Sequence, residues 1–135
     1  MTERTLVFVK PDGVRRGLVG AIVSRFERKG LRIIAMAMRR LDAETADVHY
    51  AEHVGKDWYP GLREFITSGP IVAMILEGEQ AVEVARLMVG ATDARKAAPG
   101  TVRGDLANSN QENLVHASDS LESAKRELDI FFPGI

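Results

Sequence analysis

Cysteine is absent from the 135-residue chain. That excludes a disulfide framework, a thiolate nucleophile, a cysteine-ligated zinc and an iron–sulfur cluster. Aromatic residues are scarce at 6%, with one tryptophan, Trp58. An excess of charge of one sign is also missing. Lysine and arginine number 18, aspartate and glutamate 19, and the net charge is −1. Such a chain is not built to coat nucleic acid, although a local cationic site for a small polyanion stays open. No apolar run approaches the roughly 18 residues of a membrane span. Leu6-Val7-Phe8-Val9 is too short for the apolar region of a signal peptide, so the expected location is the cytoplasm. Neither the Walker A pattern nor Gly-x-Gly-x-x-Gly occurs, which removes the two commonest phosphate loops. What is left is an ordinary globular composition, 45% hydrophobic and 27% charged. The length fits one domain over 1–135, large enough for a core without a covalent or metal staple.

Apolar patterning predicts strands alternating with helices. Leu6 to Val9 reads as a buried strand, ended by the turn residues Lys10-Pro11-Asp12-Gly13. Val14, Leu18, Ile22 and Phe26 recur every four residues and predict one helix face, closed by Gly30. Leu31 to Met38 reads as a second strand. Asp42 is suited to cap a helix running through about His53, and Pro60 suits the first turn of another. Ile71 to Leu76 reads as a third strand, ended by Glu77-Gly78. Ala81, Val84, Ala85 and Met88 mark a further helix. Leu114-Val115 reads as a short fourth strand, and Leu121, Ala124 and Leu128 mark a last helix. Ala91 to Asn113 breaks the rhythm and reads as a long loop, either functional or simply mobile. This order indicates an α/β domain. Periodicity leaves open whether the sheet is parallel or antiparallel.

Without thiols, nucleophile candidates are hydroxyls, carboxylates, lysines and the three histidines. His49 and His53 are four apart, but His49-Tyr50-Ala51-Glu52-His53 lacks the glutamate directly after the first histidine that a zincin needs. Solvated helix residues are the expectation there. His116 ends a strand and meets a helix start, with Asp119 and Glu122 spaced as a capping box. Such a position suits ligand chemistry, and neutral imidazole is available near pH 7. On position alone, a packed histidine that merely bonds the backbone is slightly favoured. Lys10, Arg86, Thr92 and Arg103 are candidates for phosphate contacts. Taken singly, each reads as a solvated surface residue. Trp58 could stack on a base or plug a gap between helices.

Together these segments resemble the nucleoside diphosphate kinase family along essentially the whole chain. The family signature Asn-x-x-His-x-Ser-Asp stands complete as Asn113, His116, Ser118 and Asp119. Lys10-Pro11-Asp12-Gly13, Arg16-Gly17-Leu18-Val19-Gly20, His49-Tyr50, Pro60-Gly61-Leu62, Ser68-Gly69-Pro70 and Pro99-Gly100-Thr101-Val102-Arg103-Gly104-Asp105 also match, in order. The resemblance implies ping-pong transfer of the γ-phosphate of ATP or another nucleoside triphosphate to a nucleoside diphosphate, through a phosphohistidine at His116. It implies that Lys10, Arg86, Thr92 and Arg103 hold phosphates, that Asn113 serves the ribose region, and that Tyr50 lies beside His116. Glu127 would bond the other ring nitrogen, and Ser118 would pack into that network. Trp58 stands where the family usually has phenylalanine, against the base. Mg2+ would arrive on the nucleotide phosphates, with no metal site built by the protein itself.

The implied fold is a ferredoxin-like βαββαβ core, an α+β sandwich with a four-stranded antiparallel sheet. An inserted helical hairpin and a long nucleotide-side loop are added to it. The implied partners are nucleoside di- and triphosphates and further copies of the chain, a hexamer before a tetramer. No membrane and no sequence-specific nucleic acid is expected. Two stretches depart from the family pattern. Asp93-Ala94-Arg95-Lys96 follows Thr92 where Asn-Pro is usual, which predicts a less rigid loop. Asn108 to Glu112 is more polar than usual. The last residues, Phe132-Pro133-Gly134-Ile135, follow closely on the last helix, as in a core without the longer tail of some relatives. A competing reading is a nucleotide-binding regulatory or interaction protein that keeps the fold without turnover. Such a protein should have lost His116, Lys10 or Glu127.

Overall fold

The computed structural model describes residues 1–135. Four strands, β1 (Thr2–Val9), β2 (Arg32–Arg40), β3 (Pro70–Glu79) and β4 (Val115–Ala117), form one sheet in the order β2-β3-β1-β4. All three pairings are antiparallel. Seven helices surround it: α1 (Pro11–Arg15), α2 (Val19–Lys29), α3 (Ala43–His49), α4 (Tyr59–Ile66), α5 (Ala81–Val89), α6 (Val102–Leu106) and α7 (Leu121–Phe131).

Strand alternation divides the core in two. Val7, Val9, Val72, Met74 and Leu76 point to one face, where Ile22 and Phe26 of α2 and Ala85 and Val89 of α5 cover them. Leu6, Phe8, Ile71, Ala73 and Ile75 point to the other, against Ala46 of α3, Ile66 of α4 and Phe131 of α7. Because β1 and β3 are buried on both faces, they read as unbroken apolar runs, and polarity carries no trace of strand direction.

Several boundaries differ from the sequence expectation. The helix predicted from Val14 to Phe26 is two helices, broken at Gly17, whose φ of +69° suits glycine. The four-residue spacing survives because both helices press on the same core. Asp42 does cap α3, its Oδ1 accepting from the Thr45 N–H at 2.7 Å, but α3 stops at His49 and a 3₁₀ turn follows over Ala51–His53. Pro60 lies in the first turn of α4. Glu77-Gly78 does not end β3. Glu77 is held in the strand by Arg4 and Arg32, and Gly78 lets the Leu31 side chain lie where a Cβ would be 2.8 Å from it. Ser120, not Asp119, caps α7, accepting from the Ser123 N–H at 3.0 Å. The long loop is partly ordered by a 3₁₀ turn at Ala94–Lys96 and by α6, whose cap Thr101 accepts from the Gly104 N–H at 2.9 Å.

Candidate active site

β4 is only three residues long, yet it decides the site. Val115 and Ala117 enter the core, so the alternation turns His116 to the opposite face. There it pairs in register with Phe8 and stacks on it, ring centroids 4.8 Å apart. α7 follows immediately and presents Glu127 to the imidazole. His116 Nε2 lies 2.8 Å from Glu127 Oε1, and the Ser118 hydroxyl donates to the same oxygen at 2.6 Å. Burial opposes ionisation of Glu127, but the bonds from His116 and Ser118 outweigh it and hold the carboxyl below its usual range. An ionised carboxylate only accepts, so Nε2 carries the proton and Nδ1 keeps its lone pair. Burial lowers the His116 pKa, and Glu127 partly offsets this. The ring is therefore neutral at pH 7.

His116 opens into a cavity of about 570 Å³ that also takes in Lys10, Tyr50, Trp58, Arg86, Thr92, Arg103 and Asn113. All the site residues expected from the sequence except Ser118 and Glu127 line it, and those two stand behind His116. Lys10 comes from the end of β1, Arg86 from α5 and Arg103 from α6. No carboxylate lines the cavity, so its three cations are not neutralised by its own walls. A larger groove of about 890 Å³ between α3 and α7 has Glu44, Asp47 and Asp129 against one arginine, Arg126. That balance repels a polyphosphate.

The cations are held, not dangling. Lys10 is buried and donates from Nζ to Asn113 Oδ1 at 2.8 Å. Burial and the charge of Arg103 bring its pKa down to about 8, with Asp12 acting in the opposite direction. Arg103 is 3% exposed and donates to the carbonyls of Gly90, Val115 and Asn113 at 3.0, 2.7 and 3.3 Å. Arg86 donates to the Ala117 carbonyl at 3.3 Å. Two arginines thus grip β4 on either side of His116. Reading Lys10 and Arg103 singly as solvated residues is overturned by their burial. Asn113 donates from Nδ2 to the carbonyls of Thr92 and Asn110 at 2.8 and 3.0 Å, so its amide ties the long loop to Lys10.

Trp58 is 53% exposed at the rim, and the gap between α3 and α4 is filled instead by Tyr59, whose hydroxyl donates to Asp47 Oδ1 at 2.7 Å. Of the two options for Trp58, the plug is removed. His53 packs near its ring, centroids 5.1 Å apart, and Leu62 lines the same end of the cavity.

Three features escaped the sequence reading. His49 is not a solvated helix residue. It is 3% exposed and edge-on to His116 at 4.8 Å, with neither ring nitrogen hydrogen-bonded. Burial first, and then the neighbouring His116, bring its pKa down to about 3. Leu62 could have been found, since it lies one helical turn beyond Trp58. Leu114 has a φ of +74°, one of two non-glycine residues with a positive value. That costs about 1–2 kcal/mol for a residue with a side chain and has no sequence signal.

His49, His116 and Glu127 bring their donor atoms within 4.8 Å of one another. Glu127 Oε1 is already shared by His116 and Ser118. What the arrangement offers is a neutral imidazole with one free nitrogen, oriented from behind and faced by cations.

Comparison with known proteins gives the family. The family profile described as nucleoside diphosphate kinase matches residues 3–135. A nucleoside diphosphate kinase of Nocardioides sp. is 64% identical over 135 residues, covering all of both chains. One from Staphylothermus marinus is 60% identical over 131 residues, 97% of this chain and 93% of the relative. Among solved structures, the halophilic enzyme of Halobacterium salinarum in complex with CDP superposes with a TM-score of 0.95 at 51% identity. It covers 98% of this chain and 88% of that one. The Aquifex aeolicus enzyme gives 0.95 at 41% identity, with 99% and 97% covered. In sequence and fold alike, the chain belongs to the nucleoside diphosphate kinase family.

Proposed function

We propose that His116 is the residue through which this enzyme passes phosphate from a nucleoside triphosphate to a nucleoside diphosphate. The transfer itself is the activity of the family. The observation that carries the assignment is the pairing of Nε2 with Glu127, which leaves Nδ1 as a bare lone pair at a cavity lined by three cations. In the first half-reaction Nδ1 attacks the γ-phosphorus. The bond from phosphorus to the bridging oxygen breaks, and the diphosphate leaves with that electron pair. In the second, a terminal oxygen of another diphosphate attacks the same phosphorus, and the P–N bond returns its pair to Nδ1. Splitting the transfer removes the need to hold both nucleotides together.

The transferred group spreads charge over its oxygens, so fixed cations lower the barrier. Lys10, with Asn113 holding its ammonium, sits nearest that role. Arg86 and Arg103, already fixed on β4 carbonyls, contact phosphates at little further entropic cost. Thr92 contributes from the loop. Asn113 reaches the ribose side, Tyr50 borders the imidazole, and Glu127 with Ser118 fixes the tautomer. The base lies against Trp58, a contact that tolerates many bases because each has a π-face. The relative crystallised with CDP supports a nucleotide in this cavity. Mg2+ enters on the phosphates as part of the substrate, consistent with a cavity that has no carboxylate to cage it.

The chain assembles into a homo-oligomer, a hexamer before a tetramer. Met36 and Met38, 44% and 63% exposed on edge strand β2, support an apolar contact, and solution mass measurement tests it. No helix is long and apolar enough to cross a membrane. The cytoplasm, where nucleoside triphosphates are made and used, is the proposed location.

The deciding experiment is transfer of label from ATP. The wild-type chain should acquire acid-labile, alkali-stable phosphate and pass it to a second diphosphate. His116→Ala should lose both by at least roughly 10⁴-fold, the scale on which deleting a covalent nucleophile acts. Full exchange by His116→Ala would sink the assignment.

A further inference from the structure

Asp12 has no place in the mechanism above, yet it is 3% exposed beside the phosphate cations. A buried carboxylate there weakens the very charge that a polyphosphate needs. Its Oδ1 has no partner, and burial pushes its pKa up. Its Oδ2 accepts from the Leu114 N–H at 3.1 Å. The Leu114 carbonyl in turn accepts from the Lys10 N–H at 2.8 Å. Both polar groups of the one buried residue in the left-handed region are therefore held by the turn after β1. Gly13 completes the grip, since a Cβ there would lie 3.1 Å from the Leu114 oxygen. The turn at Leu114 separates Asn113, which faces Lys10, from His116, which faces Glu127.

We propose that Asp12 is a positioning residue for phosphoryl transfer, acting as the acceptor that holds Leu114 in its strained turn and so sets the angle at which His116 meets the transferred phosphorus. It touches neither nucleotide nor phosphoryl group. The carboxylate is retained for an acceptor oxygen at the correct distance from Leu114, not for its charge. The proposal rests on His116 being the nucleophile.

The test separates acceptor from charge. Asp12→Asn keeps an oxygen for the Leu114 N–H and removes the charge. It should fold and retain most of the rate, within about threefold, because a neutral acceptor replaces a charged one. Asp12→Ala removes the acceptor. Its rate of His116 phosphorylation should fall roughly 10- to 100-fold, the scale on which misplaced reacting groups act, with nucleotide affinity changed far less.

Three outcomes overturn the clamp: Asp12→Asn as slow as Asp12→Ala, an unimpaired Asp12→Ala, or a loss seen in affinity alone. Should Asp12→Ala not fold, Asp12→Asn still decides between acceptor and charge. A His116→Ala protein that still exchanged phosphate would defeat the underlying assignment. A dead His116→Ala with any of the three outcomes above would defeat the clamp alone.

Discussion

The pH behaviour of the site follows from burial of two side chains with opposite needs. His116 must be neutral to attack, and its lowered pKa keeps it so to below the usual imidazole value. Lys10 must be charged, and its pKa of about 8 means that it loses its proton just above neutrality in the free enzyme. The expected profile of kcat/KM for phosphorylation is a plateau. Its acid limb lies below the usual 6.5 and its alkaline limb near pH 8, since this parameter reports the free enzyme. In kcat the alkaline limb should move upward, because bound phosphates stabilise the ammonium. Lys10→Arg should abolish the alkaline limb while lowering the rate, since a guanidinium stays charged but differs in shape. A flat profile to pH 10 in the wild-type chain would show that Lys10 is not depressed. Depression has a stability sign too. Between pH 8 and 10.5 the unfolded chain binds more protons at this position, so the Lys10 contribution to stability rises with pH across that window.

Among the elements, the long loop carries its own local hydrogen-bond chemistry. Asp93-Ala94-Arg95-Lys96 stands where Asn-Pro is usual, a departure that predicts a less rigid loop. The Asp93 carboxylate caps the 3₁₀ turn there through the Arg95 N–H at 3.2 Å and pairs with the Arg95 side chain at 2.9 Å. Ala94 is buried by this turn and donates to the Ser109 carbonyl at 3.3 Å. The ion pair itself contributes little, because Arg95 is 62% exposed. The cap matters more. Asp93→Ala should loosen this turn. It should show as faster proteolysis between Thr92 and Gly100 and as a higher KM, since the Thr92 carbonyl helps hold Asn113. Proteolysis at the wild-type rate would count against the cap. Elements of this kind were legible in part. Helices and strands followed apolar spacing, but the break at Gly17 and the run of β3 through Gly78 depend on contacts with distant residues, which spacing does not encode.

At the scale of the whole molecule, two cores share one sheet, and the site occupies the aromatic one. Phe8, Phe131, His49 and His116 meet there within 5.5 Å of one another where paired. A neutral histidine in that cluster makes folding sensitive to acid. The His49 pKa is near 3 in the folded chain and near 6.5 when unfolded. Its contribution is fully present above 6.5 and is lost as pH falls toward 3, where the unfolded chain binds the extra proton. His49→Phe should fit the aromatic neighbours at a cost of about 1–2 kcal/mol or less at pH 7. It should also flatten the decline of the denaturation midpoint between pH 6.5 and 4.5. An unchanged slope would place acid sensitivity elsewhere, with Asp12 excluded as its source because its raised pKa has the opposite sign.

The sequence by itself determined the alternation of elements, the lack of thiol chemistry and the signature from Asn113 to Asp119. Those are local properties, readable from spacing and from which residue types are present. Tertiary structure decided the strand directions, because a strand buried on both faces shows the same apolar run whichever way its neighbour points. It decided that Lys10 meets Asn113, 103 positions away, and that Arg103 and His49 are buried and not solvated. It also decided that Asp12 reaches across to Leu114. Composition registered a net charge of −1. Only folding gathers three cations around one cavity whose lining has no carboxylate, since charge placement is a property of the surface that long-range contacts create.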